Sequence, residues 1–455
     1  MRDPATPIHA MGVADLSSAI AAREISVRAV VEACLARIAA LNDRLAVFVH
    51  LDAEGALAAA DEADAVIAQS GPLSALHGIP VGVKDIFDVA GMPTTCGSRV
   101  MGRKIATRDA DMVAKLRQAG AIILGKVATH EFANGLPSLD LLDPPARNPW
   151  NTDYHPGGSS SGSGAGVAAG FFPLGLGSDT GGSARHPATH CGIAGLKPTY
   201  GLLPCKGAYP LSYSLDTVGL LAHGVRDLAV AMGALVPVDD SVRTLKGLRI
   251  GVVSHFHGSD LGDDPADPAI VAAIDDAAAR FTAAGAVVTQ VSLAPLQEYF
   301  AVNRVILSAD AWVIHQKALR ETPELYGKSQ RESLLVGAFL AAEDLVKAQI
   351  RRAELVAQMD AVFGEVDILL CASSMETSQR FDTPVPLAKA YARQARAPFN
   401  ITGHPAMSVA AGLAPNGLPV AIQLAAPPRE EGLLLQVAAA FEALRGPMPK
   451  PPLAA

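Results

Sequence analysis

"HPGGSSSGSGAGVAAG", residues 155–170, and "LGSDTGGSARHPATHCGIAGLKPT", residues 176–199, decide how this chain is read. The first packs four serines and six glycines into sixteen residues, and the second adds Ser183 after a Gly-Gly pair. A glycine–serine run is ordinarily a flexible linker. This one leads directly into the apolar "VAAGFFPLGLGSDT" (167–180), which a solvated linker would not do. Glycine permits close backbone approach and unusual dihedral angles, and serine supplies hydroxyls with little bulk. The combination suits a tightly packed loop that carries chemistry.

Three other uses of such a segment fail. A phosphate-binding GxxxxGK[ST] loop needs a lysine that the sequence after Gly157 or Gly158 does not provide, and "GSGAG" (162–166) follows loop-like residues rather than a strand. "GSSSG" (158–162) formally satisfies GxSxG with Ser160 as nucleophile, but that elbow needs a strand immediately before it, and "TDYHPGG" will not form one. His186 and His190 stand four apart, yet Pro187 lies between them and no HExxH occurs, so no metal site is expected.

Outward from these motifs, the chain has 455 residues, half of them hydrophobic, enough for a large core. Its net charge of −8 and lack of a basic run argue against a nucleic-acid surface. Five widely spaced cysteines without a CxxC pair point to free thiols in a reducing compartment, and the start has no apolar signal-like stretch. Residues 154–178 lack Asp, Glu, Lys and Arg, but 15 of these 25 are Gly, Ser or Pro, which excludes a spanning helix.

Periodicity predicts two helices within 15–43, the second capped by Ser26 with Val30, Cys34, Ile38 and Leu41 inward. A buried strand is expected in 77–89, a helix and strand in 109–127, and strands near 248, 286 and 366. Helices are expected over 268–286 and 343–364. Alternating helices and apolar strands predict an α/β protein, a single large domain with a mixed central β-sheet covered by helices on both faces. The expected divisions are 1–70 (helical), 75–235 (core motifs), 236–398 (variable) and 399–445 (return to the core), with 446–455 a loose Pro-rich tail.

"GVKD" around Lys84, "PGGSSSGSGAGVAAG" (156–170), "GSDTGGSARHPA" (177–188), "CGIAGLKPTYG" (191–201) and "FNITGHPAMSVAAGLAPNGLPVAIQL" (399–424) together resemble the amidase signature family. The resemblance implies a Ser–cis-Ser–Lys triad: Ser183 as nucleophile, Ser159 as the bridging serine after a cis peptide bond, and Lys84 as terminal base. It implies an oxyanion hole from the backbone of Thr180, Gly181, Gly182 and Ser183, with Ser160, Asp179 and Arg185 in support. Ala133, Asn134 and Gly135 match a substrate-lining segment, and Tyr209, Leu211 and Tyr213 could line the same pocket or the core. "CASSMETS" (371–378) departs from the Pro-Thr-x-Pro of many members, which puts substrate transfer from any relative in doubt.

The implied activity is cleavage of small carboxylic or aryl amides through an acyl-enzyme, with carbamates (urethanes) and esters open to the same machinery. The alternative is the glutamine-hydrolysing A subunit of a tRNA-dependent amidotransferase. "HEFANGLPSLDLLDPPARNPW" (130–150) fits that alternative poorly before Asn148. The expected partner is a small-molecule amide or carbamate, with no cofactor, metal, nucleic acid or membrane, in a cytoplasmic monomer or homodimer.

Overall fold

The computed structural model describes residues 6–239, 241, 244–383 and 393–453. Its centre is one sheet of eleven strands. In chain order these are β1 (Phe48–Leu51), β2 (Pro80–Lys84), β3 (Ile122–Val127), β4 (Leu174–Ser178), β5 (Ala194–Lys197), β6 (Val218–Ala222), β7 (Arg249–Val252), β8 (Val287–Gln290), β9 (Ile368–Ala372), β10 (Ala406–Leu413) and β11 (Pro419–Ala425). Across the sheet they run β1-β3-β2-β4-β6-β5-β10-β11-β9-β7-β8. β2 is parallel to both β3 and β4, and β7 is parallel to both β8 and β9, whereas β10 and β11 pair antiparallel with each other and with β5 and β9. The sheet is therefore mixed.

Strands inside it read as unbroken apolar runs because helices cover both faces. "ILLCA" in β9 and "PVAIQLA" in β11 are buried at every residue. The helix Val27–Leu45 starts where Ser26 Oγ accepts the Ala29 N–H at 3.1 Å, and it buries Val30, Cys34, Ile38 and Leu41 as its spacing predicts. Asp111–Gln118, Pro268–Ala283 and Ala342–Glu365 are likewise helical. The expected strand in 77–89 is shorter, Pro80–Lys84.

The segment after the last helix does not hang loose. Pro451 is buried, and the Leu453 carbonyl accepts from Arg37 Nη2 at 2.8 Å. For the site, the useful outcome is a pair of neighbouring parallel strands, β2 and β4, whose final residues are Lys84 and Ser178.

Candidate active site

The glycine–serine run is a buried helix rather than a linker. Ser161–Ala168 forms two turns with every residue inside the protein. Its small residues are what allow this: a Cβ on Gly162 would lie 2.4 Å from the Ala128 nitrogen, closer than atoms can approach. Ser163 Oγ donates to the Leu176 carbonyl at 2.9 Å, fastening the helix to β4. Ser160 stands just before the first turn, and the Gly158–Ser159 peptide bond preceding it is cis.

Lys84 has no solvent exposure. Its Nζ lies 2.7 Å from Ser159 Oγ, 3.0 Å from Ser160 Oγ and 2.8 Å from Ser178 Oγ. These partners are all uncharged hydroxyls. Burial disfavours the ammonium form and draws the lysine down to about 7; the more distant Asp179 and Asp216 carboxylates oppose that shift without cancelling it. Ser178 had no role in the sequence reading, although its place one residue before Asp179 in "GSDTGGS" puts it at the end of the strand beside β2.

Ser183 joins this group through its backbone: its carbonyl accepts the Ser160 N–H at 3.2 Å. It is half-buried, on the turn between β4 and the helix Arg185–Cys191. Asp179 shapes that turn from within. Its carboxylate accepts from the N–H groups of Gly182 (2.9 Å), Ala184 (3.2 Å) and Arg185 (3.3 Å), from Arg185 Nη2 (2.7 Å) and from Asn400 Nδ2 (2.8 Å). Burial alone would raise this carboxyl, but the Arg185 guanidinium, itself fully buried, holds it well below the usual carboxylate range. Arg185 reaches on to Gln423 Oε1 (2.7 Å), Asn400 Oδ1 (2.8 Å) and the Arg396 carbonyl (3.0 Å). Asn400 and Gln423 were missed as functional residues, though both lie inside the C-terminal motif.

One expectation needs correcting here. The Gly182 N–H is taken by Asp179, so it does not face an oxyanion. The N–H groups of Thr180, Gly181 and Ser183 have no hydrogen-bond partner among the described residues.

Ser183 opens into a cavity of about 850 Å³ including its mouth, lined also by Thr180, Gly181 and Gly182. Ala133, Asn134 and Gly135 also line it. Tyr209 does not: it borders a second cavity, and its ring packs 5.0 Å from Phe132 and 5.7 Å from His315. Tyr213 borders that second cavity too, while Leu211 lines both. His186 and His190 share a helix after all, with ring centroids 4.5 Å apart, because Pro187 falls in its first turn. Among the described residues no group of three or more His, Cys, Asp or Glu is placed to hold a metal, and no helix is long and apolar enough to cross a membrane.

Comparison with known proteins gives the family. The profile of the Amidase family matches residues 29–435. The A subunit of glutamyl-tRNA(Gln) amidotransferase from Mycobacterium bovis is 34% identical, covering 97% of this chain and 99% of its own. A crystal structure of an amidase superposes with a TM-score of 0.88 at 30% identity, covering 96% of this chain and all of that one. The peptide amidase of Stenotrophomonas maltophilia gives 0.83 at 26% identity, covering 98% and 99%. A match over nearly the whole length, together with the motifs in their order, makes this chain a member of the amidase family, a hydrolase of amide C–N bonds.

Proposed function

We propose that the chain is a serine amidohydrolase for small carboxamides, with Ser183 as nucleophile, Ser159 as proton relay and Lys84 as terminal base. The observation that carries this is the hydroxyl cage around a buried lysine whose charge is not neutralised by contact with a carboxylate. At an ordinary pKa only about one lysine in 2,500 is neutral at pH 7; at about 7, roughly half are.

The hydrogen-bond directions fit the neutral amine. Ser160 Oγ gives its proton to the Ser178 carbonyl at 3.2 Å, so it accepts from Nζ. With Nζ also donating to Ser178 Oγ, the nitrogen lone pair faces the Ser159 hydroxyl. Ser183 then attacks the substrate carbonyl as its proton passes to Ser159 and the Ser159 proton to Lys84. The N–H groups of Thr180, Gly181 and Ser183 take the oxyanion, each such donor being worth about 3–4 kcal/mol. The C–N bond breaks, the leaving nitrogen recovers the proton by the same route, and water hydrolyses the acyl-serine.

Two substrate assignments use this chemistry. The relatives named as the A subunit of glutamyl-tRNA(Gln) amidotransferase, at 33–35% identity over nearly their full lengths, support hydrolysis of glutamine within an assembly more than they support a stand-alone enzyme. The structural neighbours described as an amidase and a peptide amidase support a self-sufficient hydrolase; carbamates and esters are further candidate substrates on chemical grounds alone, since the same acyl-serine route would cleave them. The test is amine release from an anilide, a matching carbamate and glutamine by the isolated chain, with Ser183→Ala as blank. Turnover of the anilide or carbamate that vanishes in Ser183→Ala is expected from the stand-alone reading. Turnover of glutamine alone assigns the amidotransferase role, and activity surviving in Ser183→Ala rejects the nucleophile.

A further inference from the structure

Thr180 enters the proposed mechanism through its N–H alone, yet its side chain and the peptides on both sides of it are held as well. The reason lies in the sheet. β4 and β6 pair antiparallel, with Ser178 opposite Val218. The Asp179 N–H donates to the Thr217 carbonyl at 2.8 Å, so the two segments stay together past the strand ends. One step further Thr180 meets Asp216, and Thr180 Oγ1 donates to Asp216 Oδ1 at 2.7 Å. A hydrogen bond to a charged acceptor is roughly twice as strong as one between neutral groups. The other oxygen of Asp216 accepts from the N–H groups of Leu211 at 2.9 Å and Ser212 at 3.1 Å. That loop is fastened in turn by Asp310 Oδ2, which accepts from Ser212 Oγ at 2.6 Å and Ser214 Oγ at 3.1 Å.

The backbone around Thr180 is set from the other side. In a planar trans peptide the C=O and N–H point opposite ways. The Asp179 carbonyl accepts from Asn400 Nδ2 at 2.9 Å, which turns the N–H of the same peptide, that of Thr180, away from Asn400. The Thr180 carbonyl accepts from Asn303 Nδ2 at 3.4 Å, and this orients the Gly181 N–H in the same manner. Neither N–H has a hydrogen-bond partner among the described residues, and both residues line the cavity in front of Ser183. Asp216 borders the second cavity instead.

We infer that Asp216 is a positioning residue for the oxyanion hole: through the Thr180 hydroxyl it fixes the direction of the Thr180 N–H. The inference rests on the serine-hydrolase reading above. It adds that a carboxylate outside the Ser183 cavity sets part of the rate, acting only on the transition state.

The test uses whichever of the anilide, the carbamate and glutamine the unmodified chain turns over, together with the trifluoromethyl ketone of the same acyl group as inhibitor. Ser183 Oγ adds to the ketone carbon, its proton passes through Ser159 to Lys84, and the former carbonyl oxygen is left as an anion in the hole. Thr180→Val keeps the side-chain shape, loses the hydroxyl and leaves the Leu211 and Ser212 donors on Asp216. It should lower kcat about tenfold to a hundredfold, less than outright loss of an oxyanion donor. The ketone should weaken to the same degree, with KM within about threefold of the unmodified chain. A partly misfolded sample would lower kcat without moving the inhibition constant. Thr180→Ser, which keeps the hydroxyl, should recover most of the loss. Asp216→Asn should slow turnover by a similar factor, and the double variant no further than the slower single one, because one bond is removed once. Should Asp216→Asn fail to fold, the two Thr180 variants decide. Unchanged ketone inhibition in Thr180→Val, a rise in KM with kcat kept, or losses that multiply in the double variant would overturn the inference and leave Ser183 as nucleophile. Absence of Ser183-dependent turnover of all three substrates would overturn the hydrolase reading and the inference together.

Discussion

Two lysines lie side by side in this sheet and meet opposite fates. Lys84 ends β2, and Lys126 lies across from Val83 in the adjoining β3; neither has any solvent exposure. Lys126 Nζ is 2.7 Å from the buried carboxylate of Asp85 and also donates to the Pro93 carbonyl and Thr94 Oγ1. Lys84 receives three serine hydroxyls and no carboxylate in contact. The same side chain, at the same depth, is a paired cation where a counter-charge touches it and, in the role proposed for Lys84, a base where only neutral oxygens do. On that proposal reactivity comes from withholding a partner.

The comparison breaks most visibly by exchanging loss of activity for loss of stability. Ser183→Ala should lower kcat by about a millionfold, as removal of a nucleophile does elsewhere, and Lys84→Met by about a thousandfold or more. Both proteins should melt close to the unmodified chain, because neither change strands a buried charge. Asp85→Asn should behave in the opposite way, costing about 3–5 kcal/mol in denaturant unfolding because Lys126 is left as an uncompensated buried cation. A Lys84→Met protein as destabilised as Asp85→Asn would end the distinction.

A second measurement sharpens it. Lys84 acts as a base only when neutral, so kcat/KM should rise about tenfold per pH unit below pH 7 and level off above it, with a midpoint at about 7. A midpoint near the ordinary lysine value, about 10.4, would show that the cage does not depress this group. The smallest effect is expected from Ser160→Ala, which removes one of the three hydroxyls and should slow turnover about fivefold to tenfold. No change in rate would make Ser160 a packing residue.

The residues proposed as a triad were legible as candidates because that chemistry demands particular side chains at the ends of recognisable segments: Lys84 after an apolar strand, Ser159 before a helix of small residues, Ser183 after Gly-Gly. Ser178 escaped because a serine closing a strand looks like any other until its neighbour across the sheet is known. Asn400 escaped for a related reason, since it meets Asp179 only through a contact spanning 221 residues. The expectation for Gly182 came with the family resemblance, and the motif does not show that the Asp179 carboxylate takes that N–H. The 26-residue helix Leu296–Glu321 was not predicted at all. Its buried set includes Asn303, Ser308 and His315, so burial does not follow the apolar spacing on which periodicity depends.

The order of strands carries one more consequence. Strands from residues 48–222 form one end of the sheet and strands from 249–372 the other, and β10 and β11, made last, are inserted between them. During synthesis the two blocks therefore emerge with no strand pairing between them. The Ser183 turn waits as well, because Asn400 and Gln423 arrive on the same late segment. A ribosome that has only just passed β9 holds the serines and the lysine, but the two blocks have no strand between them until β10 and β11 emerge.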